Sequence, residues 1–254
     1  MGAMRYSEAH TRRDELERIL FSEGYVSSAD MAQRIGVSEM TIRRDLLRLE
    51  GDGRARRVAG GAAAPGSGGI PFERRDSVDA AQKRAIAAVA ADVVAGAATV
   101  ALDAGTTVAA LAPLIDAGTV VTHSLPIIAA LARSRPHALI AAGGHFQPDT
   151  RSFAGPLAEA TLRGIRSDAA VLSATAVTAE SLWGTNALDA AIKRILAEQA
   201  DTVVLLADGT KLGATAPLLI ASVGIVDVLV TDERADPVVL DAIVSSGVTV
   251  RMAR

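Results

Sequence analysis

Six arginines crowd one short stretch: Arg43, Arg44 and Arg48, then Arg54, Arg56 and Arg57. A guanidinium is a planar fork that can hold guanine O6 and N7, or a phosphate, through two hydrogen bonds. Ser38, a residue type that caps helices, stands just ahead of Met40 and Thr41. Free amides at a helix start favour an anion, so a backbone phosphate is expected beside Ser38. The candidate DNA contacts are therefore Ser38, Met40, Thr41, Arg43, Arg44 and Arg48 on a helix, with Arg54, Arg56 and Arg57 on a basic wing beside the groove. A second group, Asp103, Gly105, Thr106, Thr107, Ser124, Gly143, Gly144, Thr175 and Lys211, combines glycines, hydroxyls and one lysine in short polar runs. Glycine admits close backbone approach, hydroxyls donate, and a lysine neutralises charge, which suits a phosphate.

The elements that must position the arginines can be read from spacing. A first helix is expected from Ser7 to Glu23, with Leu16, Ile19 and Leu20 on one face and Gly24 as its stop. The next begins after Ser27 or Ser28 and buries Met31, Ala32 and Ile35. Gly36 and Val37 make a turn, and Ser38 caps a third helix over Glu39 to Leu49. There Ile42, Leu46 and Leu49 recur at i, i+4 and i+7 and turn the arginines outward. Asp45, three residues before Arg48, is expected to pair with it. An Arg-Arg pair alone reads as a solvated surface. Turn, cap, apolar stripe and basic wing in one span read instead as a winged helix-turn-helix, which sets one helix in the major groove.

Charge is placed to match. The chain of 254 residues carries a net charge of −3. Between Arg34 and Val58, however, seven arginines face four acids. A basic head on an acidic body fits specific docking better than indiscriminate coating of DNA. Cysteine is absent and the four histidines, His10, His123, His137 and His145, lack zinc-like spacing, so no disulfide and no metal site is expected. Met-Gly-Ala ahead of Met4 reads as an appended tag. With no signal peptide and no long apolar run, a cytoplasmic location and no membrane partner are expected.

The expected domains are a winged helix-turn-helix over 7–62, a linker and arm over 63–76, and a second domain over 77–254. Residues 62–69 offer no side chains for a core, and Ile70 begins the arm. After a helix from Asp79 to Ala95, apolar runs at 99–102, 120–122, 139–141, 169–172, 202–207, 226–230 and 248–250 alternate with helical stretches. This predicts an α/β domain with a mostly parallel sheet and helices on both faces. Ligands of such sheets sit beyond the carboxyl ends of the strands, where the polar runs fall. Each run also has a plain reading: Ser124 as a helix cap, Gly143-Gly144 as a turn, His123 and His145 as loop residues. Lys193 and Arg194 are expected on a water-facing helix. Trp183 is expected in a loop, as lid or packing plug.

Val37-Ser38-x-x-Thr41-Ile42-Arg43-Arg44-Asp45-Leu46-x-x-Leu49 with Gly60-Gly61-Ala62 resembles the N-terminal domain of DeoR-type bacterial transcription regulators. Ala59 stands where that family usually has histidine. Asp103-x-Gly105-Thr106-Thr107, Val121-Thr122-x-Ser124-Leu125, Ala142-Gly143-Gly144 and Asp208-x-x-Lys211-x-Gly213 resemble its sensor domain, similar in fold to ribose-5-phosphate isomerase. The runs 172–177 and 183–189 depart from the family pattern where the sugar portion should lie.

The resemblance implies a repressor of sugar-use genes that binds an operator as a dimer or higher homo-oligomer. A phosphorylated sugar would act as allosteric effector, with no cofactor and no catalytic residue. The alternative is a sugar-phosphate isomerase with an accessory head, for which Asp103 and Asp208 are the available general bases. A third reading, an architectural DNA protein, needs the pocket closed by side chains such as Trp183.

Overall fold

The computed structural model describes residues 2–23, 25–58, 60–63, 72–133 and 138–254. Gly24, Ala59, the glycine-rich hinge with Ile70, and His137 lie outside the described residues. The chain divides into two compact units, residues 1–74 and 75–254.

The first unit runs α1 (Gly2–Glu23), β1 (Tyr25–Ser27), α2 (Ser28–Ile35), α3 (Glu39–Gly51), β2 (Arg56–Val58) and β3 (Gly61–Ala63). Ser27 caps α2 by accepting from the Asp30 amide, and Ser38 caps α3 by accepting from that of Thr41. Gly36 ends α2 in the left-handed conformation (φ 75°), which fixes the tight turn. Leu16, Ile19 and Leu20 of α1 meet Met31 of α2 and Ile42, Leu46 and Leu49 of α3 in one core. The wing is a three-stranded antiparallel sheet in the order β1-β3-β2. Strand β1 was not expected; three residues are too few to show a period. Gly61 is required there, because a Cβ would overlap the Val26 carbonyl of the neighbouring strand.

After α4 (Phe72–Ser77), the second unit continues with α5 (Ala80–Val93), β4 (Thr99–Leu102), α6 (Thr106–Leu111), β5 (Thr119–Thr122), α7 (Leu125–Leu131), β6 (Ala138–Ala141), β7 (His145–Gln147) and β8 (Ser152–Ala154). Next come α8 (Pro156–Arg163), β9 (Ser167–Ser173), β10 (Ala176–Val177), β11 (Ser181–Gly184), α9 (Ala187–Glu198), β12 (Ala200–Leu206), β13 (Leu218–Ser222), β14 (Val228–Asp232), α10 (Pro237–Ser245) and β15 (Thr249–Ala253).

Seven strands form one sheet in the order β15-β14-β12-β9-β4-β5-β6, and every pairing in it is parallel. Each apolar run read from the sequence contributes one of these strands. Alternation along the strands builds two cores. Val100, Leu102, Val171, Val204 and Leu206 pack with α5, α6 and α7 on one face. Ala101, Ala170, Leu172, Val203 and Leu205 pack with α8, α9 and α10 on the other. Continuous apolar strands covered on both sides are what a parallel sheet demands.

Two smaller sheets were not expected: the β7-β8 pair and the antiparallel β10-β11-β13 sheet. Trp183 lies in β11 of the latter, not in a loop, half-buried with its indole N–H donating to Thr178 Oγ1 (3.3 Å). Its backbone is committed to pairing with β10 and β13, which corrects the lid reading.

Candidate nucleic-acid interface and strand-end cluster

Helix α3 presents Met40, Arg43, Arg44, Leu47 and Arg48 to solvent, opposite its buried stripe. Arg43 is held by Glu39 through Nε (3.0 Å) and Nη2 (2.6 Å). Ser38 and Thr41 share a hydroxyl hydrogen bond of 2.8 Å at the helix start. Arg44 and Arg48 have no side-chain partner among the described residues. The expected Asp45–Arg48 pair does not form. Asp45, with a side chain 3% exposed, accepts from Arg12 Nε of α1 at 2.6 Å. The reason is helical phase: Asp45 lies one residue from Leu46, on the flank that faces α1, whereas Arg48 turns away.

Arg54, expected on the wing, is tied into the head. Its guanidinium is bound by Glu17, with Nε to Oε1 at 2.6 Å, and reaches Asp14 at 3.5 Å. It ties the strand β2 approach to α1 and is engaged before any duplex arrives. Arg56 is half-buried and Arg57 exposed; the Arg57 amide donates to Glu50 Oε1 (2.9 Å). Arg12→Met should leave the Asp45 carboxylate buried without its cation. A loss of about 2 kcal/mol in the head is expected, since a stranded buried acceptor costs about 1–3 kcal/mol or more when charged. Thermal unfolding of the variant checks this, and an unchanged midpoint would refute it.

In the second unit the parallel sheet brings Asp103, His123, Ala142, Ser173, Asp208 and Asp232 to one edge, at or just past the ends of their strands. Asp103, fully buried, is the hub. Its Oδ2 accepts from the Ser173 amide (2.9 Å), from Ser173 Oγ (2.8 Å) and from Lys193 Nζ; its Oδ1 faces His123 Nε2 at 3.3 Å. His123 Nδ1 is fixed by the Phe153 carbonyl at 2.8 Å. Gly105 permits this arrangement, because a Cβ there would run into Ser173 Oγ.

Lys193 was expected to face water and does not. It is 3% exposed and paired with both Asp103 and Asp189 (3.3 Å to the latter). Burial works against its ammonium, but the two carboxylates outweigh burial and raise its pKa. Burial likewise opposes the Asp103 carboxylate, yet Lys193 and His123 hold its pKa far below the usual range. For Asp189 burial prevails over Lys193 and lifts the carboxyl above its ordinary value. The signal was present in the sequence: Asp189 and Lys193 are an i, i+4 opposite-charge pair inside the apolar phase of α9. Arg194 does face outward, but its guanidinium donates to the Ile220 and Leu219 carbonyls (2.6 and 2.7 Å).

Lys211 reaches Asp208 Oδ2 at 3.6 Å. Burial, and then nearby Arg75, push its pKa down, against the pull of Asp208. Lys83, which sequence reading missed, is 6% exposed and donates to the Arg75 carbonyl and to that of Val78 (2.6 Å). Burial and Lys211 lower its pKa too. Its clue was a lysine at the head of the apolar spacing Ile86, Ala87 and Ala90. Two buried lysines whose charge is disfavoured by burial and by neighbouring cations mark a place that an anion would relieve.

Among the described residues, four buried polar atoms near this edge lack any hydrogen-bond partner: Thr107 Oγ1, Ser124 Oγ, Asp189 Oδ1 and, one residue before Asp232, Thr231 Oγ1. Buried polar groups are almost always paired, so these point to an absent partner. Ser124 opens α7 without making a side-chain cap bond, so the plain capping reading does not account for its hydroxyl. Gly105 opens α6 in the same way, leaving the Thr106 and Thr107 amides at a helix start. Other expected positions serve the backbone. Gly144 (φ 146°) brings the chain against the Ala154 carbonyl. Gly143 is exposed. Thr175 is exposed and gives its amide to the Trp183 carbonyl (3.0 Å), so it leads into β10 and is not gathered into the buried cluster. Asp103 is filled by protein donors and positions its neighbours.

Comparison with known proteins extends over both units. Residues 12–67 match the DeoR-like helix-turn-helix domain and residues 78–233 match the DeoR C terminal sensor domain. This chain belongs to the DeoR family of transcriptional regulators. Its relatives include an L-fucose operon activator from Haemophilus influenzae, 32% identical over 87% of this chain and 91% of that protein. A putative aga operon transcriptional repressor from Escherichia coli O157:H7 is 29% identical over 98% and 96%. The HTH-type transcriptional regulator GlpR of Haloferax volcanii is 33% identical over 95% and 96%. A ribose 5-phosphate isomerase A from Neisseria gonorrhoeae overlays 55% of each chain at 16% identity, with a TM-score of 0.37. Among the described residues of this DeoR-family chain, no helix is long and apolar enough to cross a membrane.

Proposed function

We propose that this DeoR-family regulator is a cytoplasmic repressor of sugar-use genes that releases its operator when a phosphorylated sugar occupies the strand-end cluster. The head, residues 7–62, places α3 in the major groove. Ser38, Thr41, Arg56 and Arg57 hold phosphates while Met40, Arg43, Arg44 and Arg48 meet the groove. The sensor, residues 77–254, binds the effector and assembles the chain into at least a dimer, which presents two heads to paired half-sites. The observation that carries the effector reading is the coincidence of the unpaired Thr107 Oγ1, Ser124 Oγ and Asp189 Oδ1 with two buried lysines, Lys83 and Lys211, whose charge burial and neighbouring cations disfavour. A phosphate would restore both lysines, and sugar hydroxyls would pair the stranded oxygens.

Turnover is not part of this reading. A general base works best with a pKa near the operating pH. Asp103 is held far below that range and saturated with donors, and Asp208 is occupied by Thr210 and Lys211. Control requires the effector to prefer one arrangement of the heads; couplings of about 1–3 kcal/mol give about 5–150-fold changes in operator affinity.

A thermal-shift panel of pentose and hexose phosphates tests the proposal. At 100 times its dissociation constant an effector adds about 2.7 kcal/mol, an upward shift of about 5–10 °C for a unit of this size. Lys211→Ala with Thr106→Val should remove the shift while operator binding persists. If no sugar phosphate moves the midpoint, the effector reading is wrong.

The affinity should also fall as pH rises towards, and before it reaches, the ordinary lysine value of 10.5. Phosphate monoesters are already fully ionised there. The change then belongs to Lys83 and Lys211, whose lowered pKa values make them lose their protons before an ordinary lysine does. A flat profile to pH 10 would place the anion elsewhere.

A further inference from the structure

The outermost ridge of α3 is not purely cationic. At 3.6 residues per turn, Met40 and Leu47 stand about 20° apart and about 130–150° from the mean direction of Ile42, Leu46 and Leu49. Arg44 lies between them along the helix. Met40 is 65% exposed and Leu47 51%, and they are the two large apolar side chains left exposed among the described residues of the head. Single exposed hydrophobes are ordinary on a surface. Two that bracket an unpaired arginine, on the face turned away from the core, form a pattern of apolar, cationic, apolar.

Charge decides what covers this ridge. Arg43, Arg44 and Arg48 share the helix, so the partner must be anionic while still offering apolar knobs. The major groove does both: phosphates line it, and thymine alone among the bases presents a methyl group there. Met40 to Leu47 spans seven residues, about 10 Å at 1.5 Å per residue, which is about three base steps of about 3.4 Å.

The geometry points to direct readout of thymine: Met40 and Leu47 each pack on a thymine C5 methyl, about three base steps apart, with Arg44 taking a guanine edge between them. This rests on the reading that α3 enters the major groove, and it adds what the helix selects.

The test separates the two. The full-length protein first selects its preferred duplex from a randomised library. Each thymine of the half-site is then replaced singly by deoxyuridine, which keeps every hydrogen bond and removes the methyl. Two positions per half-site should lose about fourfold in affinity, the ratio expected for one buried methyl group. Met40→Ala should abolish the loss at one of these positions and Leu47→Ala at the other, with thermal midpoints unchanged because both side chains are exposed.

Uniform indifference to deoxyuridine would overturn thymine readout while leaving α3 in the groove. Losses that persist in both variants would assign the methyl contacts to other residues. A change in oligomeric state in either variant would make the ridge a contact between copies of the chain. Failure to select any duplex would remove the groove reading itself, and this proposal with it.

Discussion

Lys193→Met is expected to unfold the sensor about 10 °C below the unchanged protein at pH 7.5. The substitution nearly conserves volume, so the cost is electrostatic. It strands Asp103, whose carboxylate is fully buried, and Asp189 beside it. Breaking a buried pair by removing one partner costs about 3–5 kcal/mol, and about 2–4 °C follows each kcal/mol in a unit of this size.

Acid reveals the cause. In the unchanged protein the Asp103 pKa is depressed, so its contribution is present above the ordinary value of 3.8 and lost as pH falls through and below it. Without the ammonium, burial is opposed only by His123 and the Ser173 donors, and that pKa rises from its depressed position. As pH falls towards the ordinary value of 3.8, the variant therefore loses less of this carboxylate's contribution than the unchanged protein does. Asp189, already raised by burial, moves in the same direction in both proteins. The gap between the two melting curves should therefore narrow as pH falls towards the ordinary carboxylate value of 3.8. A constant gap would mean that Lys193 stabilises by packing alone.

Arg44→Ala should weaken operator binding about 10- to 100-fold with an unaltered melting curve. A well-placed guanidinium on a base edge is worth about 1–3 kcal/mol, and Arg44 has no structural task to lose. Its neighbours supply the controls. Arg43 already spends its guanidinium on Glu39, so its alanine variant should cost less affinity. Arg54→Ala should reduce head stability, because Glu17 and Asp14 hold that side chain. Operator titrations at two salt concentrations complete the experiment. An affinity equal to that of the unchanged protein would remove Arg44 from the interface.

What could be read before folding, and what could not, follows from the range of the forces involved. Capping at Ser38, the turn at Gly36 and the apolar stripe Ile42, Leu46 and Leu49 are set by neighbours within a few residues, and spacing alone located them. The seven strands of the large sheet were legible because each is a continuous apolar run, as burial on two faces requires. The wing strand β1, the β7-β8 pair and the small sheet carrying Trp183 are too short for a period to register.

By itself, then, the chain's order of residues determined a winged head, a parallel-sheet domain following it in sequence, the family and the polar edge where strands end, because all of these follow from local pattern. Only tertiary structure decided which charges meet. Asp45 turns to Arg12 across 33 positions, Arg54 to Glu17 across 37, and Lys193 to Asp103 across 90. Such pairings depend on helical phase and on which element packs alongside, and a charge taken out of water must find its counter-charge wherever the fold has brought one.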